Sequence, residues 1–175
     1  MKSKGNYFIL FLILVLTTWV SLHGKGNYES VRITRVIDGD TVVVDNNEKV
    51  RIIGMNTPEV GKRTEPYGEE AKEFATHILL GKDVYLEKDV SDRDKYGRLL
   101  RHIWLKDPKK GILEEDNYGA IALKEGYAQV YTFPPDVKYE KKYLEISRKA
   151  REERKGLWGI NINGTTRGEV PGGQF

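Results

Sequence analysis

The chain has no cysteine and only three histidines among its 175 residues. The missing cysteine excludes disulfides, zinc–thiolate sites and cysteine nucleophiles. The histidines, at positions 23, 77 and 102, form no pair with the spacing of metal ligands, so we expect neither a histidine metal site nor a histidine-based triad. A strong charge imbalance is also absent, since the net charge is +3. Such weak basicity permits a nucleic-acid partner but does not indicate one.

Long apolar runs are absent except at the N-terminus. Lys2 and Lys4 precede the apolar residues 8–20, FILFLILVLTTWV, a pattern that resembles a secretory signal. The run is shorter than the roughly 20 residues of a spanning helix, and no clear small-x-small cleavage site follows it. We therefore expect residues 1–24 to be a signal peptide or an N-terminal membrane anchor, attached through residues 7–22. The protein would be extracytoplasmic, either secreted or anchored.

The rest of the chain has the length of one domain that buries a core without disulfides. We predict a linker at residues 25–30, a domain at 31–160 and a disordered, Gly-rich tail at 161–175. Runs of alternating or β-branched residues predict five strands, at 31–37, 41–44, 50–54, 82–87 and 98–105. Helical periodicity predicts three helices, at 67–80, 118–125 and 136–155, the last with Asp136 as its N-cap. This order predicts a mainly β, α+β fold: a five-stranded OB-fold barrel with about three helices.

A turn with two acidic residues, Asp38-Gly39-Asp40-Thr41, separates the first two predicted strands. Asp-Gly is a common hairpin turn, so a plain turn is the simplest interpretation. In the alternative interpretation, Asp40 offers a hard oxygen ligand to Ca²⁺ or Mg²⁺, and Asp38 is a second ligand or a close neighbour.

The third predicted strand and the segment after it carry further polar residues. Arg51 lies on the strand face opposite its apolar neighbours, where it either faces solvent or clamps a phosphate. The segment Asn56-Thr57-Pro58-Glu59 is either a strand-ending turn or the source of a metal ligand and a general base. Arg98 ends a separate polar turn. Two arginines, one metal and one carboxylate base are what phosphodiester hydrolysis requires, if they converge.

Six short motifs follow one another in a characteristic order: VIDGDT, VRIIGMNTPE, YGEEA, DKYGR, EGYAQVY and GLWG. Each is a weak signal alone. Together, from about residue 31 to residue 159, they resemble the staphylococcal nuclease (thermonuclease) family. The resemblance implies an OB-fold, Ca²⁺-dependent endonuclease that cleaves DNA and RNA and leaves 3′-phosphate ends.

The resemblance also implies roles for individual residues. For the metal it implies Asp40 as a ligand, the backbone carbonyl of Thr57 as another, and Asn56 at a position where the family usually has a second aspartate. For catalysis and substrate binding it implies a general base, two phosphate-binding arginines and two nucleotide-contacting tyrosines: Glu59, Arg51, Arg98, Tyr96 and Tyr131. Asn56 is the chief departure, because an amide ligates Ca²⁺ without a negative charge and weaker metal binding is expected.

The sequence thus predicts an exported, monomeric, Ca²⁺-dependent nuclease of single-stranded or melted DNA and RNA. The alternative is a catalytically inactive OB-fold module that binds single-stranded nucleic acid or a protein partner. An anchored structural protein is a third hypothesis, supported by the N-terminal segment alone. The presence of Arg51, Glu59 and Arg98 together favours the enzyme, since an inactive copy is expected to have lost at least one of them.

Overall fold

A computed structural model of the chain describes residues 28–61 and 64–164. The predicted signal or anchor at residues 1–24, with the attachment segment 7–22, lies outside the described residues, as does most of the predicted tail. Within the described ranges, no helix has the length and apolar character needed to cross a membrane.

Seven strands and five helices are present in the described residues. The strands are β1 (Tyr28–Asp38), β2 (Thr41–Val44), β3 (Lys49–Ile52), β4 (Gly54–Asn56), β5 (Asp83–Glu87), β6 (Leu99–Trp104) and β7 (Gln129–Tyr131). The helices are α1 (Gly68–Leu79), α2 (Leu113–Asp116), α3 (Tyr118–Lys124), α4 (Glu140–Glu152) and α5 (Leu157–Ile160). The three longer helices, α1, α3 and α4, correspond to the three that the sequence predicts.

Five of the strands close into a barrel in the order β1-β2-β3-β6-β5, which confirms the predicted five-stranded barrel. All barrel pairs are antiparallel except β3 and β6, which run parallel, with Arg51 opposite Leu100. This parallel pair closes the barrel. It also brings the residues around Arg51 next to those that precede β6, almost fifty positions later in the chain.

The barrel is held together by the inward-facing residues of its strands. Val42, Val50, Ile52 and Ile103 are among those completely removed from solvent. Helix α4 buries one face, formed by Tyr143, Ile146, Ser147 and Ala150, in agreement with the helical periodicity of its sequence. Burial of this apolar surface is the main stabilising contribution to the fold.

The third predicted strand, 50–54, is divided in the structure. Strand β3 ends at Ile52, and Gly54 (φ 85°) starts β4, which pairs with β7 in a separate two-stranded sheet. The left-handed conformation at Gly54 turns the chain out of the barrel and directs residues 56–59 back toward the turn after β1.

Two boundaries differ from the prediction. Strand β1 begins at Tyr28, so residues 28–30 belong to the barrel and not to the predicted linker. Asp136 is not the N-cap of α4, which begins at Glu140. Its Oδ1 atom accepts hydrogen bonds from the backbone N–H groups of Val90 and Ser91 instead, at 3.0 and 2.8 Å. Asp136 therefore joins the segment before α4 to the loop after β5.

Candidate active site

The carboxylate of Asp40 is the centre of the candidate site. It is 5% exposed and lies in the turn between β1 and β2. Its Oδ1 accepts a hydrogen bond from the Thr41 hydroxyl at 3.0 Å, and its Oδ2 accepts one from the Thr57 N–H at 3.1 Å. Oδ2 also lies 2.9 Å from Nη1 of Arg51. Asp40 thus connects the β1–β2 turn, strand β3 and the turn after β4.

Close backbone packing holds the acidic turn in place. A Cβ atom at Gly39 would lie 2.6 Å from Cγ2 of Thr57, so the turn can approach Thr57 this closely only with glycine at position 39. The buried hydroxyl of Tyr118, the first residue of α3, donates to the Gly39 carbonyl at 2.8 Å. Helix α3 therefore supports the turn that carries Asp40.

The guanidinium of Arg51 contacts two of the residues predicted to bind metal. Besides its ion pair with Asp40, its Nη2 donates to Oδ1 of Asn56 at 2.8 Å, and its Nη1 donates to the Ile52 carbonyl at 2.8 Å. Asn56 in turn donates from Nδ2 to the Thr57 carbonyl at 3.2 Å. The structure thus brings together the three predicted ligand residues, Asp40, Asn56 and Thr57.

The oxygen atoms of this cluster fit a hard divalent cation in their chemistry. A carboxylate, an amide oxygen and a backbone carbonyl are donors that Ca²⁺ and Mg²⁺ prefer. Nearby, Asp38 accepts the N–H of Asp40 at 3.1 Å, and burial, followed by the charges of Asp40 and Glu59, raises the pKa of Asp38 to about 7. Over residues 28–61 and 64–164, no three acidic or histidine side chains converge as a metal site, so a cation here would need the neutral oxygens of Asn56 and Thr57.

Glu59, the predicted general base, has an exposed side chain beside this cluster. Its pKa is raised, first by partial desolvation and then by the negative charges of Asp40 and Glu65, while Arg51 and Arg98 act in the opposite direction. A carboxylate with a raised pKa is a stronger base than a fully solvated one. Glu59 therefore interacts electrostatically with both arginines.

The second predicted arginine, Arg98, reaches the same region from the loop before β6. Its Nε donates to Oδ2 of Asp94 at 2.7 Å, and its Nη1 lies 3.4 Å from the Thr41 hydroxyl, which itself donates to Asp40. The two arginines therefore converge on the Asp40–Thr41 pair, Arg51 at Asp40 and Arg98 at Thr41, as phosphate binding would require.

A cleft of about 510 Å³ opens next to the arginines. Its walls include basic, acidic and aromatic side chains, among them Arg51, Asp94, Lys95, Tyr96, Arg98, Tyr131, Phe133 and Asp136. Both predicted nucleotide-contacting tyrosines thus line one cavity. Asp40 and Glu59 do not line it, so the acidic cluster adjoins the cleft through the two arginines.

The aromatic residues of the cleft differ in their exposure. Tyr96 is 73% exposed, and Nζ of Lys95 and Cζ of Arg98 lie 5.1 and 5.6 Å from its ring centroid. Tyr131 packs edge-to-face against Phe133, with ring centroids 4.6 Å apart. An exposed ring with two cations beside it is suited to stack on a base and to hold its phosphate.

Sequence reasoning missed three residues that support the site. Phe133 has no motif of its own, although its position two residues after Tyr131 puts both on one side of an extended segment. Glu65 and Tyr118 gave no signal. The contact of Glu65 with Glu59 depends on how one loop folds, and the contact of Tyr118 with Gly39 joins distant parts of the chain. The chemical roles of the predicted site residues stay predictions.

The barrel and its helices define an α+β protein with a five-stranded OB-fold. Residues 49–159 match the family described as "Staphylococcal nuclease homologue". The chain belongs to the staphylococcal nuclease family.

Relatives with assigned names are similar to this chain over most of its length. A thermonuclease of Staphylococcus hyicus is 33% identical over 140 residues, which cover 77% of this chain and 78% of that protein. A thermonuclease of Staphylococcus intermedius is 32% identical over 172 residues, which cover 90% and 98%. An endonuclease of Bacillus subtilis is 34% identical over 156 residues, which cover 83% and 70%.

Proposed function

We propose that this protein, a nuclease of the staphylococcal nuclease family, is an exported, Ca²⁺-dependent endonuclease that cleaves DNA and RNA without sequence specificity and leaves 3′-phosphate ends. The observation that carries the proposal is the convergence of Arg51 and Arg98 on the Asp40–Thr41 pair, beside the carboxylate of Glu59. The names of the relatives, thermonuclease and endonuclease, agree with hydrolysis within a nucleic-acid chain.

In this proposal the side chains have separate roles in hydrolysis. Glu59 takes a proton from the water that attacks phosphorus. The bond between phosphorus and the 5′ oxygen breaks, so the phosphate stays on the 3′ end, and the 5′ oxygen takes up a proton and leaves as a hydroxyl group. Arg51 and Arg98 donate hydrogen bonds to the phosphate oxygens, whose negative charge grows in the transition state. Bound by Asp40, Asn56 and Thr57, a divalent cation would supply further positive charge at those oxygens.

Single-stranded or locally melted nucleic acid is the proposed substrate. Tyr96 and Tyr131 line the cleft beside the arginines, so a base stacked on either ring would leave its phosphate near Arg51 and Arg98. In a duplex, the faces of each base are covered by the neighbouring base pairs, so a side chain cannot stack on them. Stacking on these tyrosines therefore favours single strands. Binding of one strand needs only one copy of the site, and we propose a monomer.

Export and Ca²⁺ dependence support each other. The basic and apolar residues at the N-terminus have the pattern of a secretory signal or an anchor. Asn56 provides a neutral ligand, so the site has fewer negative charges and its affinity for Ca²⁺ is expected to be low. Ca²⁺ is plentiful outside the cell, where a weak site suffices.

The test is cleavage of heat-denatured DNA by the full chain, with Ca²⁺, with Mg²⁺ and with a chelator. We expect cleavage with Ca²⁺ only, 3′-phosphate ends on the products, and a loss on the order of 10²–10³ in rate for Glu59→Gln. Tight DNA binding without cleavage at millimolar Ca²⁺ would overturn the proposal in favour of an inactive nucleic-acid-binding module. Secretion is tested separately, by fractionating cells that express the full chain.

A further inference from the structure

Glu65 is a charged residue in an unusual environment. It lies in the loop between β4 and α1, yet it is only 5% exposed. Carboxylates are rarely buried unless they are bound to hydrogen-bond donors or cations. The predicted chemistry assigns no role to Glu65, so its burial requires another explanation.

The contacts of Glu65 lead to the backbone of Glu59. The Oε2 atom of Glu65 accepts a hydrogen bond from the Glu59 N–H at 3.0 Å. In the reverse direction, the Glu65 N–H donates to the Glu59 carbonyl at 2.9 Å. One residue therefore binds both backbone polar groups of the predicted base. We call this reciprocal pair of hydrogen bonds the Glu59–Glu65 clamp.

Helix α1 anchors the clamp to the body of the protein. The N–H of Gly68, the first residue of α1, donates to the Glu65 carbonyl at 3.0 Å. A Cβ atom at Gly68 would lie 2.6 Å from the Glu59 carbonyl oxygen, so the helix start packs directly against that carbonyl. Glu59 is therefore held from two directions, by the Glu65 side chain and by the first residue of a stable helix.

The side chain of Glu59 is exposed, in contrast to the buried carboxylate of Asp40. The direction of an exposed side chain depends on the backbone from which it extends. A shift of about 1 Å in a reacting group costs on the order of 10²-fold in rate. A clamp on the backbone of Glu59 is therefore an effective way to fix its carboxylate beside Arg51 and Arg98.

We propose that Glu65 is a positioning residue for the reaction, because its buried carboxylate holds the backbone of Glu59 and thereby sets where the base stands relative to the two arginines. The carboxylate acts as a hydrogen-bond acceptor, and Glu65 touches neither substrate nor metal. This inference rests on the proposed function, in which Glu59 is the base.

The experiment compares two substitutions of Glu65 in the full chain. Glu65→Ala removes the acceptor of the Glu59 N–H, and we expect kcat on denatured DNA to fall by tenfold or more, on the order expected for a displaced base, with KM changed by less than about threefold. Glu65→Gln keeps an acceptor oxygen, so kcat should stay within about threefold of the unmodified protein. An equal loss in the two variants would overturn the proposal, since the acceptor would then not be what matters.

Asp116 provides a matched control. It is also buried, at 4% exposed, and its Oδ2 accepts a backbone N–H, from Ile112 at 2.9 Å. Asp116→Ala should lower Tm as Glu65→Ala does, but leave kcat unchanged when both are assayed well below Tm. If Glu65→Ala also leaves kcat unchanged under these conditions, Glu65 is merely structural and the proposal fails.

Amide hydrogen exchange separates failure of the clamp from failure of the proposed function. The Glu59 N–H should exchange faster in Glu65→Ala than in the unmodified protein or in Glu65→Gln, whether or not the protein cleaves DNA. An unmodified protein that does not cleave would overturn the proposed function. An exchange rate that is the same in all three proteins would overturn the clamp.

Discussion

The cluster around the buried carboxylate of Glu87 and the candidate active site balance their charges in opposite ways. Glu87, at the end of β5, is completely buried and accepts hydrogen bonds from Trp104 Nε1 at 2.8 Å, Tyr139 Oη at 2.7 Å and Lys138 Nζ at 2.6 Å. Burial would raise its pKa, but these three donors hold the pKa below its ordinary value. One carboxylate thus has one cation and two neutral donors, and the cluster is electrically balanced.

The candidate active site has the reverse balance. Asp38 and Glu59 both interact electrostatically with Asp40, and the pKa values of Asp38 and Glu59 are both raised by burial and by neighbouring negative charge. Arg51 forms an ion pair with Asp40, and Arg98 is already paired with Asp94, so the two arginines do not neutralise the whole group. The balanced cluster stabilises the fold, whereas a surplus of negative charge costs stability, and such strained groups are typical of functional sites. Such a surplus is what a cation-binding, catalytic site requires.

The largest expected effect comes from removing positive charge from the site. Arg98→Ala should lower kcat on the order of 10²–10³, because a contact to the charged transition state is lost. Arg93, in the same loop, is the matched control. Its ion pair with Glu48 is exposed, so Arg93→Ala should change kcat by less than about twofold. Steady-state kinetics on denatured DNA measure both values, and equal effects would remove Arg98 from the proposed site.

Disruption of the balanced cluster should affect stability and not catalysis. Glu87→Ala leaves the buried Trp104 N–H and the Tyr139 hydroxyl without their acceptor, and we expect a loss of about 3 kcal/mol in the free energy of unfolding. Urea denaturation measures this loss. The rate per folded molecule should stay within about twofold, and a large fall in kcat would show that the two clusters are not separate in function.

Removal of one carboxyl group from the site should change how the free energy of unfolding depends on pH. The pKa of Asp38 rises from 3.8 to about 7 on folding, so the stability that Asp38 contributes is full below pH 3.8 and is lost as the pH rises toward 7. Asp38→Asn removes this dependence. With chelator present, the variant should therefore gain about 2 kcal/mol relative to the unmodified protein between pH 4 and pH 8.

Unfolding free energies of the two proteins at several pH values provide this comparison, and the contributions of all other groups cancel in the difference. A difference that stays constant with pH would mean that Asp38 is ionised as readily in the folded protein as in the unfolded one. The charge surplus at the site would then be smaller than its geometry indicates.

The smallest expected effect concerns the aromatic residues. They too divide between the Glu87 cluster and the candidate site. Tyr139 donates its hydroxyl to Glu87, whereas Tyr96 is 73% exposed at the edge of the cleft. Tyr96→Leu should raise KM for single-stranded DNA about fivefold, because a stacking contact of about 1 kcal/mol is lost, and should leave kcat and Tm nearly unchanged. Tyr96→Phe keeps the ring and serves as the control. An increase in KM for Phe equal to that for Leu would exclude stacking.

Strand and helix periodicity were sufficient to predict the barrel and its three longer helices. The three-residue strands β4 and β7 were missed, since two strands of that length show no measurable alternation. Asp136 was wrongly predicted as an N-cap because its preference for backbone N–H groups is satisfied by another loop. Local preference identified the type of contact in this case, but tertiary structure selected the partner.

The sequence predicted which residues form the site better than it predicted the contacts between them. The order of the motifs indicated Asp40, Arg51, Asn56 and Thr57, and the structure brings these four into direct contact. The clamp between Glu59 and Glu65 could not be predicted, since no sequence rule distinguishes a buried loop glutamate from an exposed one. Burial depends on how the loop folds against α1.

The parallel pairing of β3 with β6 has a consequence for the order in which the protein acquires activity. Arg51 and Arg98 belong to segments that meet only when β3 pairs with β6 and the barrel is closed. Contacts between such distant parts of a chain form late in folding, because a long loop must first be ordered. A growing chain that ends before β6 therefore carries Asp40, Arg51 and Glu59 but no complete site. On refolding, the return of nuclease activity reports closure of the barrel and not formation of its individual hairpins.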